Sequence, residues 1–173
     1  MILLIEAAGG SVEGRTTLQK WLYFTSVKAK LDFGFAPHFY GPYSETVSSA
    51  ISNLIASDFI FEMGRMTRYE RIIYTYTLTE DGKNIARDLK GTNKELYSKI
   101  KEVVDTCTEV VGNNINTLSS AAKVYYLLQK QGKQITYEEI KRMGKNLGWQ
   151  LSETEIDSAA KLLSALKLAR KED

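Results

Sequence analysis

Residues able to do acid–base, nucleophilic or metal chemistry are few in this chain, and they do not cluster. Among 173 residues there is one histidine, His38, and one cysteine, Cys107. Structural and catalytic zinc sites draw three or four ligands from histidine, cysteine and carboxylates at short spacings, and a single His with a distant single Cys excludes the usual sets. Cys107 lies in Val103–Val111, an apolar helical stripe where a thiol packs as a small hydrophobe. Glu138 and Glu139 are adjacent, so on a helix they do not share a face. No Gly-x-Ser-x-Gly elbow, Gly-x-x-x-x-Gly-Lys-Ser/Thr phosphate loop or Gly-x-Gly-x-x-Gly turn occurs. The expectation is a protein that is not an enzyme and needs neither cofactor nor metal.

The chemistry that remains is charge and hydrogen bonding. Arg65, Arg68 and Arg71 fall in a polar segment between two β-rich runs, where arginines can track phosphates or enter a minor groove. Arg15 and Lys20 stand at the start of a helix, with Lys28 and Lys30 further on; Gly14-Arg15 could add free backbone N–H groups to a phosphate contact. A later helix presents Thr46, Ser48, Ser49, Ser52 and Asn53 on its polar side, with Glu45 and Asp58 at its ends and no Lys or Arg. Base readout leans on Arg, Lys, Asn or Gln, so only Asn53 and the serines offer it here. Lys141, Arg142 and Lys145 make a further basic cluster, offset by Glu138 and Glu139. Net charge is +2 overall, and residues 1–78 carry seven cations against seven anions. Any polyanion surface is therefore a local patch rather than a property of the whole chain.

His38-Phe39-Tyr40-Gly41-Pro42-Tyr43-Ser44-Glu45 concentrates the histidine, three aromatics and one of two prolines. Pro37 favours an extended approach, on which His38 and Tyr40, two apart, share a side and offer hydrogen-bond donors. Gly41-Pro42 turns the chain, Phe39 and Tyr43 can pack, and Ser44 can cap a helix with Glu45 in its first turn. Two readings stand: a structural corner, and a recognition edge made by His38, Tyr40 and Tyr43.

The elements that must position these residues follow from hydrophobic period and punctuation. Residues 2–8 form a short apolar helix closed by Gly9-Gly10, and Thr16–Lys30 a second, on which Gln19 can bond the backbone of a neighbouring loop. A third helix from Ser44 buries Val47, Ile51, Leu54 and Ile55. Phe59–Phe61 and Ile72–Leu78 then read as a hairpin with its basic tip at Gly64–Tyr69, and Thr79 caps the next helix. Thr92-x-x-Glu95, Thr136-x-x-Glu139 and Ser152-x-x-Glu155 fit capping boxes. With Leu118–Lys130 they mark helices at 117–131, 137–147 and 152–169, a trio like a second, degenerate helix-turn-helix without a wing. The fold class is α+β, mostly helical: a winged helix-turn-helix over 1–90 and an additional C-terminal helical domain over 91–173.

Gly14-Arg15-Thr16-Thr17-Leu18-Gln19-Lys20-Trp21-Leu22-Tyr23, followed by the His38–Glu45 block, resembles the YwgA-like family. More distantly, Leu18-Gln19-Lys20-x-Leu22-Tyr23 and Gly41-Pro42 resemble the Panacea, or SocA-like, antitoxin domain. The resemblance covers roughly residues 1–80 and implies a winged-helix-like module. The first family implies no settled activity, and the second implies neutralising a toxin partner. Tyr74-x-Tyr76-x-Leu78-Thr79-x-x-Gly82 is also similar to the strand-to-helix exit of MarR- and PadR-type regulators, which bind DNA as dimers through helices outside the winged module. Leu96, Ile100, Val103, Cys107 and Val111 would supply the stripe for such a homodimer, the alternative being that the stripe is buried within the monomer.

The sequence thus points first to a DNA-binding transcriptional regulator. Its expected sites are Arg15, Lys20, Ser48, Ser49, Ser52, Asn53, Arg65, Arg68 and Arg71, and its partner is double-stranded DNA. A protein-interaction module of antitoxin type, using His38, Tyr40 and Tyr43, is the alternative. The opening Met1–Ile5 lacks a basic leader and turns polar at Glu6, the single cysteine allows no internal disulfide, and a cytoplasmic protein with no membrane partner is expected.

Overall fold

The computed structural model describes residues 1–112, 114–132 and 134–170. The chain is α+β and mostly helical, and folds as two compact units, one of residues 1–34 with 44–105, the other of residues 35–43 with those from Thr106 onward.

The first unit opens with α1 (Ile2–Ala7), an almost wholly buried turn-and-a-half that packs against the later helix over Glu80–Thr92. Gly9 and Gly10, both at positive φ, reverse the chain into β1 (Ser11–Glu13). The sequence reading had no strand here, since three residues with only Val12 inward make no alternation long enough to detect. α2 (Arg15–Ala29) is buried continuously from Leu18 to Ser26, and Lys30 ends it in the left-handed conformation. α3 (Glu45–Ala56) starts at Ser44, whose Oγ accepts from the Val47 amide at 3.1 Å. Val47 and Ile51 are buried as expected, whereas Leu54 and Ile55 are only half-buried.

β2 (Ile60–Met66) and β3 (Ile72–Leu78) form the hairpin, and β1 adds to the far side of β3, so the antiparallel sheet runs β1-β3-β2. β2 extends past the predicted Phe61 through Gly64 to Met66, leaving only Thr67–Arg71 as loop. The register sets Val12 and Glu62 on either side of Tyr76, so one face holds Val12, Ile60, Glu62, Tyr76 and Leu78 and the other Phe61, Met63, Arg65, Thr75 and Thr77. Thr79 caps α4 (Glu80–Thr92) by accepting from the Gly82 amide, and its own hydroxyl donates to Asp58 O at 2.6 Å.

One of the three capping boxes is not realised. Thr92 belongs to the last turn of α4, where its hydroxyl donates to Asp88 O and Leu89 O, and α5 (Lys94–Val111) begins after it. The α5 stripe is also not open for dimerisation: Ile100, Val103 and Cys107 are buried by the chain itself.

In the second unit α6 (Ile115–Gln131) ends at Gly132, left-handed at φ 64, and packs on α7 (Tyr137–Asn146) and α8 (Glu153–Ala165). Both remaining capping boxes form with their reciprocal bonds, at Thr136–Glu139 and Ser152–Glu155. α8 stops at Ala165, short of the predicted end, because Lys167 turns the chain at φ 57. Leu118, Ala121, Leu127, Ile156, Ala159, Leu162 and Leu163 make the core.

Candidate interaction surfaces

The corner at 36–43 is a small hairpin of the second unit. Ala36 and Tyr43 exchange both backbone hydrogen bonds at 2.9 Å, and the Gly41 amide donates to His38 O at 2.9 Å. The turn therefore begins at His38, two residues before the expected extended run of Pro37–Tyr40 would end. That places Phe39 and Tyr40 at its two central positions. Gly41 takes φ 95, the region open to glycine, so its lack of a side chain is required there. The same His38 carbonyl accepts a second bond, from the indole Nε1 of buried Trp149 at 2.7 Å. Trp149 in turn meets the Tyr126 ring edge-on, with centroids 5.8 Å apart.

Held in this way, the turn presents its aromatics outward. Phe39 is 71% exposed and Tyr40 55%, and they touch each other edge-to-face at 4.9 Å. The expected inward packing of Phe39 does not occur. Nor do His38 and Tyr40 pair on one side of a strand, because both lie in the turn. His38 instead lies against the half-buried Tyr43, with centroids 5.0 Å apart.

Beyond the corner, in the first unit, the Gln19 amide reads the Ser44 backbone in both directions: Nε2 donates to Ser44 O and Oε1 accepts from Ser44 N, each at 3.0 Å. Buried Ser44 also donates through its hydroxyl to Phe33 O. The expected role of Gln19 as a bond to neighbouring backbone is met, and it fixes where α3 starts.

The predicted phosphate contacts divide. Lys20 is 1% exposed and cannot reach a phosphate, so it leaves the candidate set. Arg15 is committed within the unit: Nη2 donates to Glu62 at 2.9 Å, Nε to Tyr76 Oη at 2.6 Å, and its guanidinium lies 4.7 Å over the Tyr74 ring. The bond to Glu62, then that to Tyr76, raises the affinity of the guanidinium for its proton. Burial alone would raise the Glu62 carboxyl, but the bonds from Tyr76 and Arg15 outweigh it and hold Glu62 below its ordinary range. Burial, then Glu62, pushes the Tyr76 hydroxyl well above the usual tyrosine range. Arg65 meets Glu13 loosely at 3.5 Å, both exposed. Arg68 and Arg71 stand exposed on the Thr67–Arg71 loop, with no ion pair among the described residues. On α3, Ser49, Ser52 and Asn53 are exposed and Ser48 half-buried, and the Ser52 hydroxyl turns back to Ser48 O.

Two features had no signal in the sequence. Trp149 looked like a connector between helices, and its bond to His38 spans 111 positions. Glu62 and Tyr76 become partners of Arg15 only through strand register. The exposed Phe61 and Met63 were readable as strand residues but not as outward ones, because the facing alternation depends on which side α2 and α3 cover.

No protein-family model matches the chain. It is 33% identical over 85 residues to the Bacillus subtilis (strain 168) protein named "Uncharacterized protein YwgA", a match that takes in 47% of this chain. It spans about half the length, 49%, of that relative. Among the described residues, no helix is long and apolar enough to cross a membrane.

Proposed function

We propose that this chain is a non-enzymatic interaction module, a winged helix formed by α2, α3 and the β2–β3 hairpin with a helical second unit, and that it binds a protein partner. The contact is the Phe39–Tyr40 tip, with His38 and Tyr43 flanking it. One observation carries this: two large aromatics stand exposed at the centre of a turn whose carbonyl is held by both Gly41 and Trp149. Exposed aromatic surface gains most by being covered, and a rigid backbone lowers the ordering entropy of covering it. Aromatic anchors of this kind dominate binding energy at protein interfaces. The distant likeness of Leu18-Gln19-Lys20-x-Leu22-Tyr23 and Gly41-Pro42 to the antitoxin domain is consistent with this reading.

Duplex DNA is the second reading, favoured by Arg68 and Arg71, which stand exposed on a hairpin loop following a helix with a polar outer face. It has lost Lys20 to burial and Arg15 to Glu62 and Tyr76.

The test uses a photo-crosslinking residue at position 39 in the full chain, expressed in its native host. A single crosslinked protein is expected, lost when Tyr40 or His38 is changed to alanine and kept when Arg68 and Arg71 are. In parallel, the purified chain is titrated with random-sequence duplex DNA at two salt concentrations. Salt-dependent binding abolished by Arg68→Ala with Arg71→Ala, with no crosslink at 39, would transfer the function to DNA.

A further inference from the structure

The sheet has two edges, and they are built differently. β1 covers one side of β3 with three residues, and its outer edge is short and carries Glu13. β2 forms the other edge over seven residues, and among the described residues its backbone bonds to nothing but β3. Proteins ordinarily blunt such an edge with proline, charged side chains, a bulge or brevity. β2 has no proline, lysine or bulge and is not short: Ile60-Phe61-Glu62-Met63-Gly64-Arg65-Met66 pairs residue for residue with β3, and its two charges, Glu62 and Arg65, already meet Arg15 and Glu13. On its open face Phe61 is 59% and Met63 54% exposed.

The geometry points to a second copy of this chain as the occupant of that edge. β2 pairs antiparallel with β2 of the other copy, centred on Met63, to join two three-stranded sheets into one. The register follows from the side chains. With a two-fold axis through Met63, all seven residues overlap, Met63 faces Met63, and Phe61 faces Arg65 twice, each guanidinium against an aromatic ring. On the opposite face Ile60 meets Met66 and Glu62 meets Gly64, which has no side chain to oppose it. Sliding by two positions shortens the overlap in either direction, and one direction sets Glu62 against its own copy. No other register is both full-length and free of like charges. The strand shares no residue with the Phe39–Tyr40 tip, so this inference and the proposed function stand or fall independently.

Sedimentation velocity of the full chain over a concentration series tests it. A reversible dimer is expected. Met63→Lys places two ammonium groups opposite each other at the axis and should weaken the dimer at least about tenfold. Because Met63 is exposed, this variant should melt with the wild type. In a second variant, Met63→Cys, the new thiols face one another at a Cα separation of about 4.5–5.5 Å, inside the disulfide window. Mild oxidation should give a covalent dimer, whereas Phe61→Cys, which faces Arg65, should not crosslink; native Cys107 is buried and does not interfere. A monomer at every concentration overturns the inference. So does a dimer indifferent to Met63→Lys, or Phe61→Cys crosslinking as readily as Met63→Cys.

Discussion

Arg15 shows how a residue suited to one chemistry is claimed by another. Its position at the start of α2 fits a phosphate contact, yet strand register brings Glu62 and Tyr76 within 2.9 Å and 2.6 Å. Arg15→Ala should cost about 1–2 kcal/mol, the lower part of the range for hydrogen bonds to charged groups, since more than half of the guanidinium is exposed. The pH dependence has a definite sign. Glu62 is held below its ordinary value of 4.5 in the folded chain, so the ionised carboxylate stabilises the fold above that value, and this contribution is lost as pH falls through the folded pKa. Denaturant melts from pH 7 to pH 3 should therefore show the gap between wild type and Arg15→Ala narrowing at the acid end. A gap constant across that range would mean that Glu62 is not the partner that matters. Cys107 titrates in the other sense. Burial pushes its thiol up to about 12 from 9, so above pH 9 the unfolded chain ionises first and stability falls as pH rises towards 12. At pH 8 the native thiol should resist a disulfide reagent and react only on unfolding, a rate read directly by absorbance.

At the scale of elements, what was legible in the sequence is what is settled locally. The boxes at Thr136 and Ser152 formed because every partner lies within four residues, and the β2–β3 hairpin was visible in its β-branched and aromatic runs. Thr92 has the same local pattern but lies in a turn already claimed by α4, so its hydroxyl found carbonyls one turn back instead. Phe39 was misjudged for a non-local reason, since the carbonyl that starts its turn is held by Trp149 from another part of the chain. Gly82 makes a sharper case. It closes the Tyr74-x-Tyr76-x-Leu78-Thr79-x-x-Gly82 motif, and a Cβ added there would lie 2.1 Å from Phe59 O. The first turn of α4 rests directly on the backbone entering β2. Gly82→Ala should then destabilise the chain by about 2–3 kcal/mol, the upper part of the overpacking range, because the obstacle is backbone. Thr79→Ala, which removes the cap and the hydroxyl's bond to Asp58 O, should cost about 1–2 kcal/mol. Thermal melts of the two variants should fall in that order, and the reverse order would mean that the contact at Phe59 relaxes freely.

For the molecule as a whole, charge separates the two readings of function. Residues 1–78 sum to zero and the chain to +2, so no long-range field steers a partner in. Binding through Phe39 and Tyr40 should change little with ionic strength, while each true phosphate contact would add about 0.9 to the slope of log affinity against log salt. A flat salt response together with loss of binding in Phe39→Ala is the expected pair of results. Trp149→Phe should keep the ring packing but remove the donor to His38, weakening partner binding without replacing any residue at the tip.

The bond between Trp149 and His38 also sets an order of events during synthesis. The tip leaves the ribosome 111 residues before the indole that secures it. At about 5–20 residues per second, that is a wait of roughly 5–20 s, against microseconds for a hairpin to form. For that interval the nascent chain carries Phe39 and Tyr40 on a turn closed by the Gly41 and Ala36–Tyr43 bonds but without the indole bond. Under the proposed function, a partner that reads the secured turn would pass over nascent chains until Trp149 has emerged, so translation itself would time when binding can begin.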